Sequence, residues 1–412
     1  MKDVHMRVFL IMQMCERRVF APLCRKSNTI RRMNNMNVQN AMSRTWMEVD
    51  VDALLHNYHL AASLCQKNTE LICVLKANAY GLGLKSVGRI LYQAGARSFA
   101  VASADEALAL RDALKDCDIL VMGVAGEGRE EELIRNRIMM TAGTVKNAVQ
   151  ISAAAVKIGV DALVQIKIDT GLHRLGFTDV SEIEQVLKLP GMQFIGMYSH
   201  LALRSHEQSC GQYEAFCAME KALAEKGYYF EKRHLLDSIG LVRYPEWQLT
   251  GVRVGAFLYG NVPPSWERFS ESRETVRLCT RVTRVDWVEA GEGIGYDEEP
   301  IPARTKVATL AAGYIDGYSR LLSGKGEVLI RGRRCKVLGL VCMDQMMVDV
   351  THAPAVCEGD VAYLLGGGVT LREYAAWGGL NRNECTAVIG SRVPRVYIQN
   401  GSVTHVSDVF QG

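Results

Sequence analysis

Leu71-Ile72-Cys73-Val74-Leu75-Lys76-Ala77-Asn78-Ala79-Tyr80-Gly81 is the stretch on which the reading of this chain turns. Its first five residues form an apolar, β-rich run that drives straight into a lysine, and small and turn-forming residues follow. A lysine at the exit of a short strand stands at the rim of a sheet, where a ligand can reach its amine. Partial burial there lowers the amine's pKa, and a neutral amine attacks carbonyls. A solvated lysine after an edge strand is the plain alternative, and this segment alone leaves the two readings even.

The same unit recurs on both sides of that segment. Short β-branched runs fall at Leu71–Leu75, Ser98–Ala102, Ile119–Met122, Ile138–Ala142, Ala162–Ile168, Gln193–Tyr198, Arg233–Leu236 and Gly251–Val254. Amphipathic helical stretches lie between them, among them Ala104–Leu114, Val145–Val156, Val180–Leu187 and Gln212–Ala224. Eight alternations of this kind predict a parallel (β/α)₈ barrel, a TIM-type α/β domain over residues 52–270. An open doubly wound sheet fits less well, because no GxGxxG turn follows the first strand. Active sites of such barrels lie at the carboxyl ends of the strands. Ionisable residues gather at those exits: Lys76 and Tyr80, then Lys167, Asp169, His173 and Arg174, then His200, Ser238 and Arg253 beside Gly255.

After about Ser270 the texture changes to short strands and tight turns. Val276–Trp287, Thr305–Ala311, Gly326–Ile330, Arg334–Val341 and Met346–Val350 predict an all-β C-terminal domain over residues 271–412. The strand Thr45–Val49 precedes the barrel pattern and is expected to join that domain. Gly291, Gly293 and Gly295 crowd one turn; no helix follows, which favours a hairpin over a phosphate loop.

At 412 residues the chain is long enough for these two domains. A net charge of +3 argues against a nucleic-acid partner, and no run reaches the length of a membrane helix. The twelve cysteines show no metal-ligand spacing and read as free thiols of a reducing, cytoplasmic compartment. Residues 1–43 are basic, acid-poor and rich in methionine. They read as a transit peptide or, preferably, as an extension ahead of a true start at Met33, Met36 or Met42.

Seven motifs, in order across both domains, resemble the alanine racemase family, fold-type III enzymes dependent on pyridoxal 5′-phosphate. They are Val74–Gly81, Lys167-Ile168-Asp169-Thr170-Gly171-Leu172-His173-Arg174-Leu175-Gly176, Tyr198-Ser199-His200-Leu201, Val252-Arg253-Val254-Gly255, Gly293-Ile294-Gly295-Tyr296, Gly313-Tyr314-Ile315-Asp316-Gly317-Tyr318 and Cys342-Met343-Asp344-Gln345. The resemblance implies a two-base interconversion of L- and D-alanine that supplies D-alanine for peptidoglycan. It implies that Lys76 carries the cofactor and serves as one base, with Tyr296 of the partner subunit in a homodimer as the other. His200 and Arg253 would support the tyrosine, and Arg253 would face the pyridine nitrogen. Tyr80, Ser238, Gly255, Ala256 and Ser391 would hold the cofactor; Arg174, Met343 and Tyr314 would receive the amino-acid substrate. Lys167 corresponds to a lysine that is often carbamylated.

Two positions depart from the family pattern. Asp237 replaces the usual asparagine before Ser238, and Ser391 stands where some members carry a tyrosine. The smaller Ser391 leaves room for a larger side chain, which raises a serine or broad-specificity racemase as an alternative. A cofactor-dependent decarboxylase is opposed by Arg174 and the Tyr296 motif, since such an enzyme must release the carboxylate. A barrel-only cofactor-binding protein is opposed by the β domain.

Overall fold

A computed structural model of the protein describes residues 37–262 and 269–408. Most of the basic N-terminal segment, with its transit-peptide and start-site readings, lies outside the described residues. The chain divides into a first unit, residues 1–40, whose described residues 37–40 are helical, and a second unit, residues 41–412, that holds both domains.

Eight parallel strands form the barrel: β2 (Glu70–Val74), β3 (Ser98–Val101), β4 (Asp118–Val121), β5 (Met140–Ala142), β6 (Ala162–Lys167), β7 (Met192–Tyr198), β8 (Lys232–His234) and β9 (Gly251–Val254). Their order, β4-β3-β2-β9-β8-β7-β6-β5, is one circuit of neighbours. The ends meet where Leu120 bridges Met139, with the Met139 amide donating to Ile119 O at 2.9 Å. Helices cover the outside, so these strands are buried on both faces and read in sequence as continuous apolar runs. Short polar residues start the helices. Ser103 caps Ala104–Ala113, Thr144 and Asn147 form a reciprocal cap on Val145–Ile158, and Asp179 caps Val180–Leu187. The longest helix begins at His206, earlier than the Gln212 its apolar pattern suggests, because Ser205 caps it there.

The second domain is built on a nine-stranded sheet in the order β11-β14-β13-β12-β15-β10-β1-β16-β17. These are β1 (Thr45–Asp50), β10 (Val276–Val288), β11 (Thr305–Leu310), β12 (Glu327–Ile330), β13 (Arg333–Leu338), β14 (Met346–Asp349), β15 (Val361–Leu365), β16 (Arg395–Gln399) and β17 (Ser402–Ser407). As expected, β1 joins this domain, antiparallel to β10 and parallel to β16. The triple-glycine turn connects the β10–β11 hairpin. The domain also carries two helices, Leu371–Gly378 and Arg382–Ala387. Both start with capping boxes, Thr370 with Glu373 and Asn381 with Glu384, which the overall texture of the region conceals.

The β domain closes directly on the loop that follows Lys76. Arg395 donates to Gly81 O at 3.0 Å and the Tyr397 hydroxyl to Leu82 O at 2.6 Å. Gly81 sits at φ +90°, and a Cβ there would lie 2.0 Å from Thr386 O. Gly159 also has positive φ, +66°, yet its Cβ would meet open space. Gly81→Ala is therefore expected to cost at least about 2 kcal/mol more than Gly159→Ala. Urea unfolding of the two variants measures the difference, and equal losses would show that the loop is not clamped.

Candidate active site

The carboxyl ends of the barrel strands bring the predicted rim residues together. Lys76 follows β2, Lys167 ends β6, Tyr198 ends β7 just before His200, Asp237 and Ser238 follow β8, and Arg253 lies in β9 before Gly255. The charges of Arg174, Arg253, Glu106 and Asp237 all act on the Lys76 amine.

Arg253 is the centre of this rim. Its guanidinium is buried, and all its bonds go to uncharged acceptors. It donates to His234 Nδ1 and His234 O, to Ser199 O at 2.7 Å, to Leu235 O at 3.0 Å and to His200 Nδ1 at 3.2 Å. Burial presses its pKa down to about 10, still far above neutrality, so it remains a cation. These bonds fix two histidine tautomers. His234 Nε2 lies 2.7 Å from Gln165 Oε1, which only accepts, so His234 carries its proton on Nε2 and accepts from Arg253 on Nδ1. His200 likewise accepts on Nδ1, which leaves Nε2–H as its donor. Burial, then Arg253 and Arg174, hold both pKa directions downward at His200, so its imidazole is neutral.

Lys76 is half-buried. Burial first, then Arg174 and Arg253, lower its affinity for a proton, against the weaker pull of Glu106 and Asp237. The residues after it, Ala77 to Tyr80, all have positive φ near 55°. Four consecutive non-glycine residues in that region make a strained left-handed turn. Glu106 accepts the Asn78 amide at 3.1 Å and the Ala102 amide at 3.0 Å, and the Asn78 side chain accepts the Leu84 amide at 2.8 Å. Tyr80, so placed, lies against Gly255: a Cβ there would be 2.5 Å from the phenol oxygen. The Ser238 hydroxyl accepts the amides of Gly255 and Phe257 at 3.1 and 3.2 Å. Hydroxyls and amides thus converge in a cradle that a side chain at position 255 would fill. Asp237 caps the helix Ser238–Arg243, accepting the Ile239 and Gly240 amides at 2.9 and 2.8 Å. Burial raises its pKa, and the helix amides oppose that shift.

Lys167 is buried with its amine donating to Ile168 O at 2.8 Å, 5.2 Å above the Tyr198 ring. Burial, then Arg253, drops its pKa to about 7; Asp169 opposes this and Arg174 adds to it. Burial works against the Asp169 carboxylate, but three amides, from Gly171, Leu172 and His173, hold it below the usual range. That turn presents Arg174, which is exposed.

The structure does not bring every expected residue to this rim. Tyr296, Tyr314 and Met343 stand on the β domain, 78%, 42% and 52% exposed. The Tyr314 and Met343 segments form one unit, since the Tyr314 amide donates to Cys342 O at 3.0 Å and the Ile315 amide to Met343 O at 3.2 Å. Buried Asp316 anchors it, gripped by both Arg44 and Arg392 at 2.8 to 3.1 Å, and Arg392 also holds Asp344 at 2.6 Å. Ser391 lies exposed in the turn after Arg382–Ala387. Sequence reading missed His234, Gln165 and Glu106. A glutamine inside the apolar strand Ala162–Lys167 was the available signal, because a buried amide needs partners.

A parallel barrel with an amine and several cations on its carboxyl rim, joined to an antiparallel β domain, defines the class as a two-domain barrel protein with an enzyme-like rim. The family profile described as alanine racemase, N-terminal domain, matches residues 49–263, and the C-terminal domain profile matches residues 275–397. An alanine racemase of Desulforamulus reducens is 36% identical over 366 residues, covering 86% of this chain and 98% of the relative. A solved alanine racemase of Clostridium difficile 630 superposes with a TM-score of 0.84 at 30% identity, covering 89% of this chain and 98% of that one. One from Bartonella henselae, described with covalently bound pyridoxal phosphate, gives 0.78 at 29% identity, covering 86% and 99%. The chain belongs to the alanine racemase family.

The buried Lys167 amine leaves a stability signature. Unfolded, it titrates near 10.5, and folded, near 7, so the unfolded chain binds more protons between those values. Stability contributed by this group is lost as pH falls towards 7 and regained as pH rises through that window. Lys167→Met removes the burdened amine, while Ile168 O keeps the Ser199 hydroxyl as a donor. For the unmodified lysine, the variant should be clearly more stable than the parent at about pH 6 and nearly equal at about pH 10. Thermal unfolding across that range checks this; a difference independent of pH would contradict it.

Proposed function

We propose that this protein is an alanine racemase that interconverts L- and D-alanine with pyridoxal 5′-phosphate, supplying D-alanine for peptidoglycan in the cytoplasm. The observation that carries the reading is the half-buried Lys76 amine on a rim whose buried cation, Arg253, meets only neutral acceptors. Such a rim suits an anionic cofactor and the carboxylate of an amino acid. The residues fit this cofactor: Tyr80, Ser238 and the backbone at Gly255 and Ala256 would hold its phosphate, and Lys76 its aldehyde carbon. When bound, the cofactor supplies an electron sink that makes the Cα–H of an amino acid acidic.

Inversion at Cα needs a proton removed on one face and another delivered on the opposite face. Lys76 Nζ serves one face. Burial, then Arg174 and Arg253, lower its pKa and so favour the free amine that proton abstraction requires. Tyr296 of the partner subunit serves the other, and a phenol in that role needs its anion stabilised. The Nε2–H of His200, backed by Arg253, is the donor suited to that task. Arg253 would donate to the pyridine nitrogen of the bound cofactor and keep its own proton, which would restrain the sink and disfavour side reactions. Arg174 and the Met343 amide grip the substrate carboxylate, and Tyr314 lines the approach. The exposure of Tyr296, Tyr314 and Met343 in the single chain supports a homodimer in which one β domain completes the site of the other subunit.

Lys76→Ala and Tyr296→Phe should each abolish racemisation. Mixed dimers of the two contain one site with both bases intact, so subunit exchange should restore a fraction of the parent activity. With exchange verified by differential tagging, an inactive mixture would refute the shared site.

A further inference from the structure

A second cavity, of about 640 Å³, opens at the opposite end of the barrel. It lies where β2 to β5 begin, and the residues that enter those strands line it. Five cations contribute: Arg97, Arg111, Lys115, Arg135 and Arg137. Arg111 is tied down entirely by uncharged groups, donating to Asn136 O at 3.1 Å, Lys115 O at 2.7 Å and Arg137 O at 3.2 Å. Arg97 donates to Tyr92 O and Ala96 O at 2.9 and 2.8 Å and lies over the Tyr92 ring. Among the described residues, none of these five has a carboxylate within ion-pair distance.

The acidic residues of the cavity do not offset this charge. Glu70 and Asp118 share the single ammonium of Lys232, at 2.9 and 2.8 Å, so with Asp116 two net negative charges stand against five cations. An open concavity with a net positive charge focuses its field and concentrates anions. Guanidinium groups match phosphate oxygens in pairs, which a lysine-only patch would not do. The volume lies within the range of small-molecule sites and exceeds what one phosphate fills. The cations also come from the entries of three successive strands, so they span more than a single tetrahedral anion.

We propose that this cavity binds a small diphosphate-bearing anion, at a site separate from the Lys76 rim. It would engage Arg135, Arg137 and Lys115 as mobile donors, with Arg97 and Arg111 as fixed ones.

Calorimetric titration of the purified, cofactor-saturated protein with inorganic pyrophosphate, at constant ionic strength, tests this. Saturable binding is expected, weakened at least about tenfold by Arg135→Gln with Arg137→Gln and unchanged by Lys336→Gln on strand β13 of the β domain. Lys115→Gln gives the same test should the double variant fold poorly. ADP as a second probe separates the sources: tighter binding than pyrophosphate means a nucleoside-borne diphosphate, and equal binding means the diphosphate alone. Cys117 lines the same cavity, so pyrophosphate should slow its alkylation by iodoacetamide in peptide maps. Overturning results are no saturable binding, binding indifferent to the arginine substitutions, an unprotected Cys117, or citrate binding as tightly as pyrophosphate.

Discussion

A buried guanidinium without a carboxylate organises this protein's rim. Burying an unpaired cation is costly unless its donors find acceptors, and the Nη1 and Nη2 groups of Arg253 make five bonds to carbonyls and imidazoles. The arrangement leaves the charge itself uncompensated. Burial first, and then that residual charge among others, depresses the proton affinity of Lys76, Lys167 and His200. The hydrogen bonds of Arg253 also set which nitrogen of each histidine is protonated. In the proposed reaction the same cation draws in an anionic cofactor and keeps a neutral imidazole beside it.

Holding that rim in shape falls to the β domain. Its strand β16 and the helix Arg382–Ala387 press on Gly81 and Leu82, just after the left-handed turn that follows Lys76. A strained turn persists only where its surroundings over-determine it, and here both the barrel, through Glu106, and the β domain contribute. The Asp316 carboxylate plays a comparable part elsewhere in the domain. Two arginines drawn from distant parts of the chain converge on it and fix the exposed Tyr314–Met343 surface.

Much of this was legible in the sequence for physical reasons. Parallel strands covered on both faces are mostly apolar, so most of β2 to β9 announce themselves, the short β8 (Lys232–His234) excepted, and several exit into polar residues of the rim. Lys76, Lys167, His200 and Arg253 could be placed on one rim from strand ends alone. The residues that brace the rim were harder. Gln165 sits inside a strand whose apolar average hides it, His234 ends a short charged strand, and Glu106 looks like an ordinary first-turn helix residue until its carboxylate is seen capping the Lys76 turn. The helices Leu371–Gly378 and Arg382–Ala387 are short, so their capping boxes outweigh any periodicity. No periodicity shows that Tyr296 stands apart from the rim, because that depends on how the hairpin β10–β11 folds back.

The central claim is that two bases act on opposite faces of one carbon. Racemisation of protiated L-alanine in deuterium oxide, stopped early, tests it by mass and chirality together. Two bases predict that the D-alanine formed carries deuterium at Cα while the recovered L-alanine remains largely protiated. D-alanine that keeps the original proton would require a single base serving both faces, and would contradict the account.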